Sequence, residues 1–122
     1  MRQLKQTKLM GNGKVGNCFA TCIACILDKD IEDIPNIETL FGIDNFWIVV
    51  FDKWINSIGY EYIEIKEDEW ILDIPYMANG LTSRGSMHSV IYVNGELYHD
   101  PHPSNEGLVN VKYYTAIRVI EK

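Results

Sequence analysis

From residue 18 the chain turns abruptly apolar. "CFATCIACIL" runs to Leu27, whereas "GNGKVG" just before it (residues 11–16) carries three glycines and reads as a loop. Asn17 stands at the boundary, a residue type that favours the N-cap position. This pattern predicts a buried helix of about ten residues that ends near Asp28–Asp30. "IEDIPN" follows and holds a proline stop at Pro35. Helical spacing returns from about Asn45 to Ser57, where Phe46, Val50, Trp54 and Ile55 would face the core, and Gly59 lies just beyond the expected end.

The period then changes from helical to alternating. "YEYIEI" (Tyr60–Ile65) alternates as a strand does, and "PYMANG" (Pro75–Gly80) reads as another. "MHSVIYV" and "ELYHD" are joined by Asn94-Gly95, a strong signal for a two-residue hairpin turn. "KYYTAIRVI" (Lys112–Ile120) is the last strand expected. Helices come first and an antiparallel sheet follows, which is an α+β architecture. No period of 20–50 residues repeats, so residues 1–122 read as one domain.

Composition narrows the partners. The chain is 47% apolar and 23% charged, ordinary values for a globular protein. A formal charge of −6 argues against non-specific nucleic-acid binding, which needs a basic face. The acidic stretch Glu64–Glu69 ("EIKEDE") reads as a solvated turn. "FWIVVF" (Phe46–Phe51) is the longest apolar stretch and far too short to span a membrane. The N-terminal stretch has basic residues but no apolar run of signal-peptide length. Three cysteines within eight residues make a poor disulfide framework, so a reduced, cytoplasmic protein is the expectation.

Those cysteines carry three readings. Cys18-x3-Cys22-x2-Cys25 matches the cluster-binding spacing of radical-SAM enzymes, but a cluster needs backbone looped around it, and this segment is rich in helix formers. A zinc site would join cysteines to His88, His99 and His102, of which "HDPH" places two imidazoles three residues apart. The third reading makes Cys18 alone functional. In the first turn of a helix, the dipole and the backbone amides favour a thiolate and can also receive an oxyanion. Cys22 and Cys25, four and seven residues on, then behave as small core hydrophobes. The pattern favours this reading, with no metal and no cofactor.

A thiol nucleophile is served by a histidine, and the histidine by a group that orients it. His88 opens a strand after the loop "TSRGSM", sharing one face with Val90 and Tyr92. A regular two-residue turn pairs Val93 with Glu96, Ile91 with Tyr98 and Ser89 with Asp100. Asp100 thus comes beside the start of the His88 strand, one position out of line, so that facing the imidazole requires a bulge or a bend.

"GNCFATCIACIL" followed by "HSVIYVNGELYHDP" resembles the papain-like cysteine peptidase superfamily in compact form. The pattern is most similar to the double-glycine leader peptidases of bacteriocin exporters. "TSRGSMHSVIYVNGELYHDPHPSNEG" also resembles small uncharacterised bacteriophage proteins. The likeness covers residues 6–30 and 82–107. It implies a papain-like fold whose central helix starts at the cysteine, with Cys18 as nucleophile, His88 as general base and Asp100 as orienting carboxylate. Such peptidases place a glutamine before the cysteine as an oxyanion donor. Here Gln6, twelve residues upstream, matches in chemistry, and Asn12, six upstream, matches in spacing.

The expected function is a cysteine-dependent hydrolase of an amide, thioester or isopeptide bond in a peptide, protein or small molecule. The rival is a phage-type binding protein of the same fold. It would use the cleft without chemistry, either to sequester a small signalling nucleotide or to inhibit a host defence protein. Arg84 in "TSRGS" is then a candidate ligand contact, and the bacterial host cytoplasm the place of action. Trp47, Trp70 and Tyr76 are aromatics that fit either the core or a pocket wall.

Overall fold

A computed structural model describes residues 1–9, 16–35, 37, 46–65 and 74–120. Asn12, Trp70, Asn45 and most of the acidic Glu64–Glu69 stretch lie outside the described residues; Glu64 itself is exposed in a strand.

Helix α1 spans Cys18–Leu27, as its apolar run predicts. It stops at Asp28, which adopts a left-handed conformation (φ 55°), and the Lys29 amide then reaches back to the Ala24 carbonyl at 2.9 Å. A 3-10 turn at Ile31–Asp33 follows, and Ile34 and Ile37 beside it are buried. The proline-stop expectation had no place for this turn.

Helix α2 spans Phe46–Ser57, and Gly59 follows with φ 89°. Ile55 is fully buried, and Val50 and Trp54 pack against the core as expected. The side chain of Phe46 lies outside what is described. Phe51, absent from the expected set, is also wholly buried. Phe19 of α1, Phe51 and Tyr62 meet edge to face with ring centroids 5.1–5.7 Å apart, and Trp47 joins Phe19 at 5.8 Å. Trp47 and Tyr76 are therefore packing residues.

Five strands complete the chain: β1 (Tyr60–Ile65), β2 (Tyr76–Leu81), β3 (Met87–Val93), β4 (Glu96–His99) and β5 (Asn110–Val119). All pairings are antiparallel, in the order β1-β5-β2-β3-β4, so β5 enters between β1 and β2. Helix α1 lies against β3 and α2 against β1. The architecture is α+β, with two helices on an antiparallel sheet. Met77, Ile91 and Ile117 from three strands join the helices in one core. Tyr76, Tyr92 and Tyr114 contact one another through their rings, with centroids 5.8–6.0 Å apart. Among the described residues no helix is long and apolar enough to cross a membrane.

Candidate active site

The site is built where the start of α1 meets the start of β3. Asn17 occupies the N-cap position, but its side chain makes no capping bond to the helix. Its Oδ1 instead accepts the backbone amides of Thr7 (3.1 Å) and Lys8 (2.9 Å), and its Nδ2 donates to Thr7 Oγ1 at 2.8 Å. This corrects the capping expectation: two amides of a distant segment outcompete the helix's own for one short side chain. Cys18, directly after it, is partly exposed, whereas Cys22 and Cys25 are fully buried.

The β3–β4 hairpin turns at Asn94 (φ 53°) and Gly95 (φ 82°), two left-handed residues in succession as the Asn-Gly pair predicts. Val93 pairs with Glu96 and Tyr92 with Leu97, and then the register slips, so that Ile91 faces His99. Tyr98 is the additional residue. The expected pairings of Ile91 with Tyr98 and Ser89 with Asp100 are therefore wrong by one position. In a sheet, one residue of slip exchanges the two faces. His99 comes level with Ile91, and its Nε2 donates to the Leu4 carbonyl at 2.5 Å. Asp100 falls on the side of His88 and Val90.

There the His88 Nε2 and Asp100 Oδ1 lie 2.7 Å apart, with both residues buried. Asp100 also accepts the His102 amide on Oδ1 and the Gly107 amide on Oδ2, each at 2.8 Å. Burial pushes its carboxyl up, but the bond from His88, these two amides and the His88 charge outweigh that and hold it at about 2. An ionised carboxylate only accepts, so Nε2 is the donor and Nδ1 is left for the other neighbour. That neighbour is Cys18, whose side chain hydrogen-bonds the imidazole. Burial pulls His88 down; the bond to Asp100, the bond to Cys18 and the charges of both prevail and raise it to about 9. At neutral pH a cationic imidazole therefore sits between Cys18 and Asp100.

The rim is formed by the β2–β3 turn and the loop after Asp100. Arg84 Nη1 donates to Ser104 Oγ at 3.2 Å, and Ser83 Oγ to Glu106 Oε2 at 2.7 Å. The His102 ring stands edge to face against His88, 6.0 Å away. Burial and the Arg84 charge lower its affinity for a proton, and its Nδ1 accepts the Ser104 amide at 3.0 Å.

Gln6 lies beside this loop, its amide bonded to the Pro101 carbonyl at 2.9 Å. Its Nε2 donates to the Lys8 carbonyl at 2.8 Å, and its Oε1 is buried with no partner among the described residues. A cavity of about 310 Å³ opens along the start of α1, between Asn17, Ala20, Ile31 and Ile34.

The other two thiols face inward. Cys22 Sγ donates to the Ser89 carbonyl at 3.4 Å, and Cys25 Sγ accepts the Leu4 amide at 3.3 Å. Burial pushes the Cys25 thiol up, as for a core residue. Helix α1 runs unbroken through all three cysteines, without the loop that an iron–sulfur cluster requires. Among the described residues no group of three or more His, Cys, Asp or Glu is arranged to hold a metal ion.

The amides of His102 and Gly107 escaped the sequence. "DPHP" carried a usable signal for the first, because an aspartate commonly accepts the amide two residues on. Protein-family models, curated proteins and solved structures were compared with the chain, and none matches.

Proposed function

We propose that the chain is a compact papain-like thiol hydrolase acting on an amide, thioester or isopeptide bond. The observation that carries this reading is the buried His88 imidazole held between Cys18 and Asp100, with Nε2 committed to the carboxylate at 2.7 Å. Because His88 keeps its proton to about pH 9, it faces Cys18 as a cation and holds the proton that a leaving group needs. Cys18 Sγ attacks the carbonyl carbon, and negative charge gathers on the carbonyl oxygen. The Cys18 backbone amide, at the positive end of α1, is placed to receive that charge. His88 then gives its proton to the leaving nitrogen or sulfur as that bond breaks. Water, deprotonated by the now neutral His88, hydrolyses the thioester to Cys18 and restores the pair. A catalytic thiol needs a reducing compartment, and the cytoplasm supplies one.

The test is turnover of a panel of fluorogenic peptide amides, acyl thioesters and isopeptide-linked lysines by the wild type and Cys18→Ala. Loss of roughly 10⁴-fold with an unchanged melting temperature is expected. Turnover retained in the variant overturns the reading.

One observation favours a second reading. Gln6 donates its amide to Lys8 rather than presenting it towards the thiol, which suits a cleft without chemistry. On that reading the chain is a phage-encoded binding protein that sequesters a small signalling nucleotide or inhibits a host defence protein, with Arg84 at the rim as a ligand contact. A cyclic dinucleotide that raises the melting temperature of wild type and Cys18→Ala alike, and is recovered intact, would favour it.

A further inference from the structure

Residues 4–8 touch both halves of the site. At one end the Lys5 ammonium donates to the carbonyls of Asp100 (2.9 Å) and His102 (3.1 Å) and to Asn105 Oδ1. Three acceptors match its three N–H groups. They span the loop whose His102 and Gly107 amides grip the Asp100 carboxylate. The Gln6 amide adds the bond to Pro101. At the other end Asn17 is buried, and its side chain makes three hydrogen bonds to Thr7 and Lys8, while its own amide donates to the Lys8 carbonyl at 3.1 Å. Asn17 is the residue before Cys18. One residue, Gln6, separates Lys5 from Thr7, and in a chain extending at most about 3.5 Å per residue that span has little slack.

We propose that residues 4–8 form a strap that sets the separation of Cys18 from the His88–Asp100 pair, with Lys5 and Asn17 as its positioning residues. The inference rests on the hydrolase reading for its consequence, though not for its geometry. Without Lys5 the carboxylate loop loses its tie, Asp100 is held less firmly, and its grip on His88 loosens. Without the Asn17 side chain the helix start is freed from Thr7 and Lys8, and Cys18 drifts from the imidazole.

Two readouts independent of turnover test this: the His88 proton affinity by NMR titration and the iodoacetamide alkylation rate of Cys18 at pH 7. In Lys5→Met the His88 midpoint should fall from about 9 towards 6.5, by about one pH unit, and Lys5→Arg should restore most of it. In Asn17→Ala the Cys18 alkylation rate should fall about tenfold or more as the thiol loses its cationic neighbour. A direct charge effect of Lys5 would act in the opposite direction, because removing a nearby positive charge raises a histidine. A lowered melting temperature with His88 still titrating near 9 and Cys18 equally reactive would reduce both residues to structural roles and overturn the proposal. A wild-type His88 titrating near 6.5 would overturn the hydrolase reading and the strap together. Normal wild-type values left unmoved by either variant overturn the strap alone.

Discussion

His88 meets Asp100 because β4 carries one extra residue in its pairing with β3, where Leu97 to His99 spans three residues opposite the two of Tyr92 and Ile91. Tyr98 has no partner in β3, and the slip it introduces carries Asp100 to the imidazole's side of the hairpin. The orientation of the histidine therefore depends on how β4 aligns with β3 as much as on the carboxylate itself.

Deleting Tyr98 removes the extra residue but keeps His99 opposite Ile91, so Asp100 should stay on the side of His88 in a regular ladder and the imidazole should still titrate near 9. Tyr98→Ala keeps the residue count, so the midpoint should stay near 9, with a stability change within about 0.5 kcal/mol because the side chain is exposed. NMR titration of His88 in both variants decides it. A midpoint that falls towards 6.5 in the deletion would show that the bulge itself, and not the alignment of His99 with Ile91, sets the pair.

The pH dependence of stability has a definite sign. His88 titrates at about 9 in the folded chain against 6.5 for the free group, so its contribution is complete below pH 6.5 and is lost as pH rises through 9. Asp100 stands at about 2 against 3.8, so its contribution is complete above 3.8 and is lost as pH falls through 2. Calorimetric melting temperatures should therefore decline between pH 6.5 and 9 in the wild type, and the decline should flatten in His88→Gln. A wild-type curve that is level over that range contradicts the raised histidine.

Turnover should follow the same group. If His88 acts as the acid, kcat/KM falls on the alkaline side with a midpoint near 9. Asp100→Asn should move that limb down towards 6.5 and lower kcat by roughly 10²–10⁴-fold. An alkaline limb that does not move in Asp100→Asn would remove the carboxylate from the proton-transfer step.

The three thiols should separate cleanly by reactivity. Native protein treated with iodoacetamide should be labelled at Cys18, with Cys22 and Cys25 protected until denaturant is added, as peptide mass spectrometry would report. Cys22→Ala and Cys25→Ala should each cost about 1–2 kcal/mol from lost core volume and leave Cys18 labelling unchanged. Rapid native labelling of Cys22 would mean that α1 opens at the site.

Gly80 pairs with His88 across β2 and β3. A Cβ there would overlap the Asn110 carbonyl oxygen and come within 2.9 Å of Val111 Cα, both of them backbone with little room to yield. Gly80→Ala should cost at least about 3 kcal/mol by urea denaturation. A cost below 1 kcal/mol would mean that β5 gives way locally.

What the sequence made legible was local. The apolar run after the glycine loop delimits α1, strict alternation delimits β1, and Asn94-Gly95 fixes the turn type, because each depends on neighbours within a few residues. The juxtaposition of Cys18, His88 and Asp100 could be anticipated from residue types and one hairpin, although the register was off by one. Insertion of β5 between β1 and β2 was beyond reach, because packing rather than propensity chooses strand neighbours. The same holds for Asn17: its residue type favours a cap, and only the long-range approach of Thr7 and Lys8 diverts it.

That sheet order has a consequence for how the chain acquires its shape during synthesis. The β2–β3–β4 meander carries His88 on β3 and Asp100 directly after β4, so this half of the site can organise as soon as it leaves the ribosome. Strand β1, made earlier, has β5 as its only sheet partner among the described residues and must wait for Asn110–Val119 to emerge. Until then a strand edge stays open on each side of the gap that β5 will fill. The nascent chain is most exposed to mispairing and to chaperone capture in that interval.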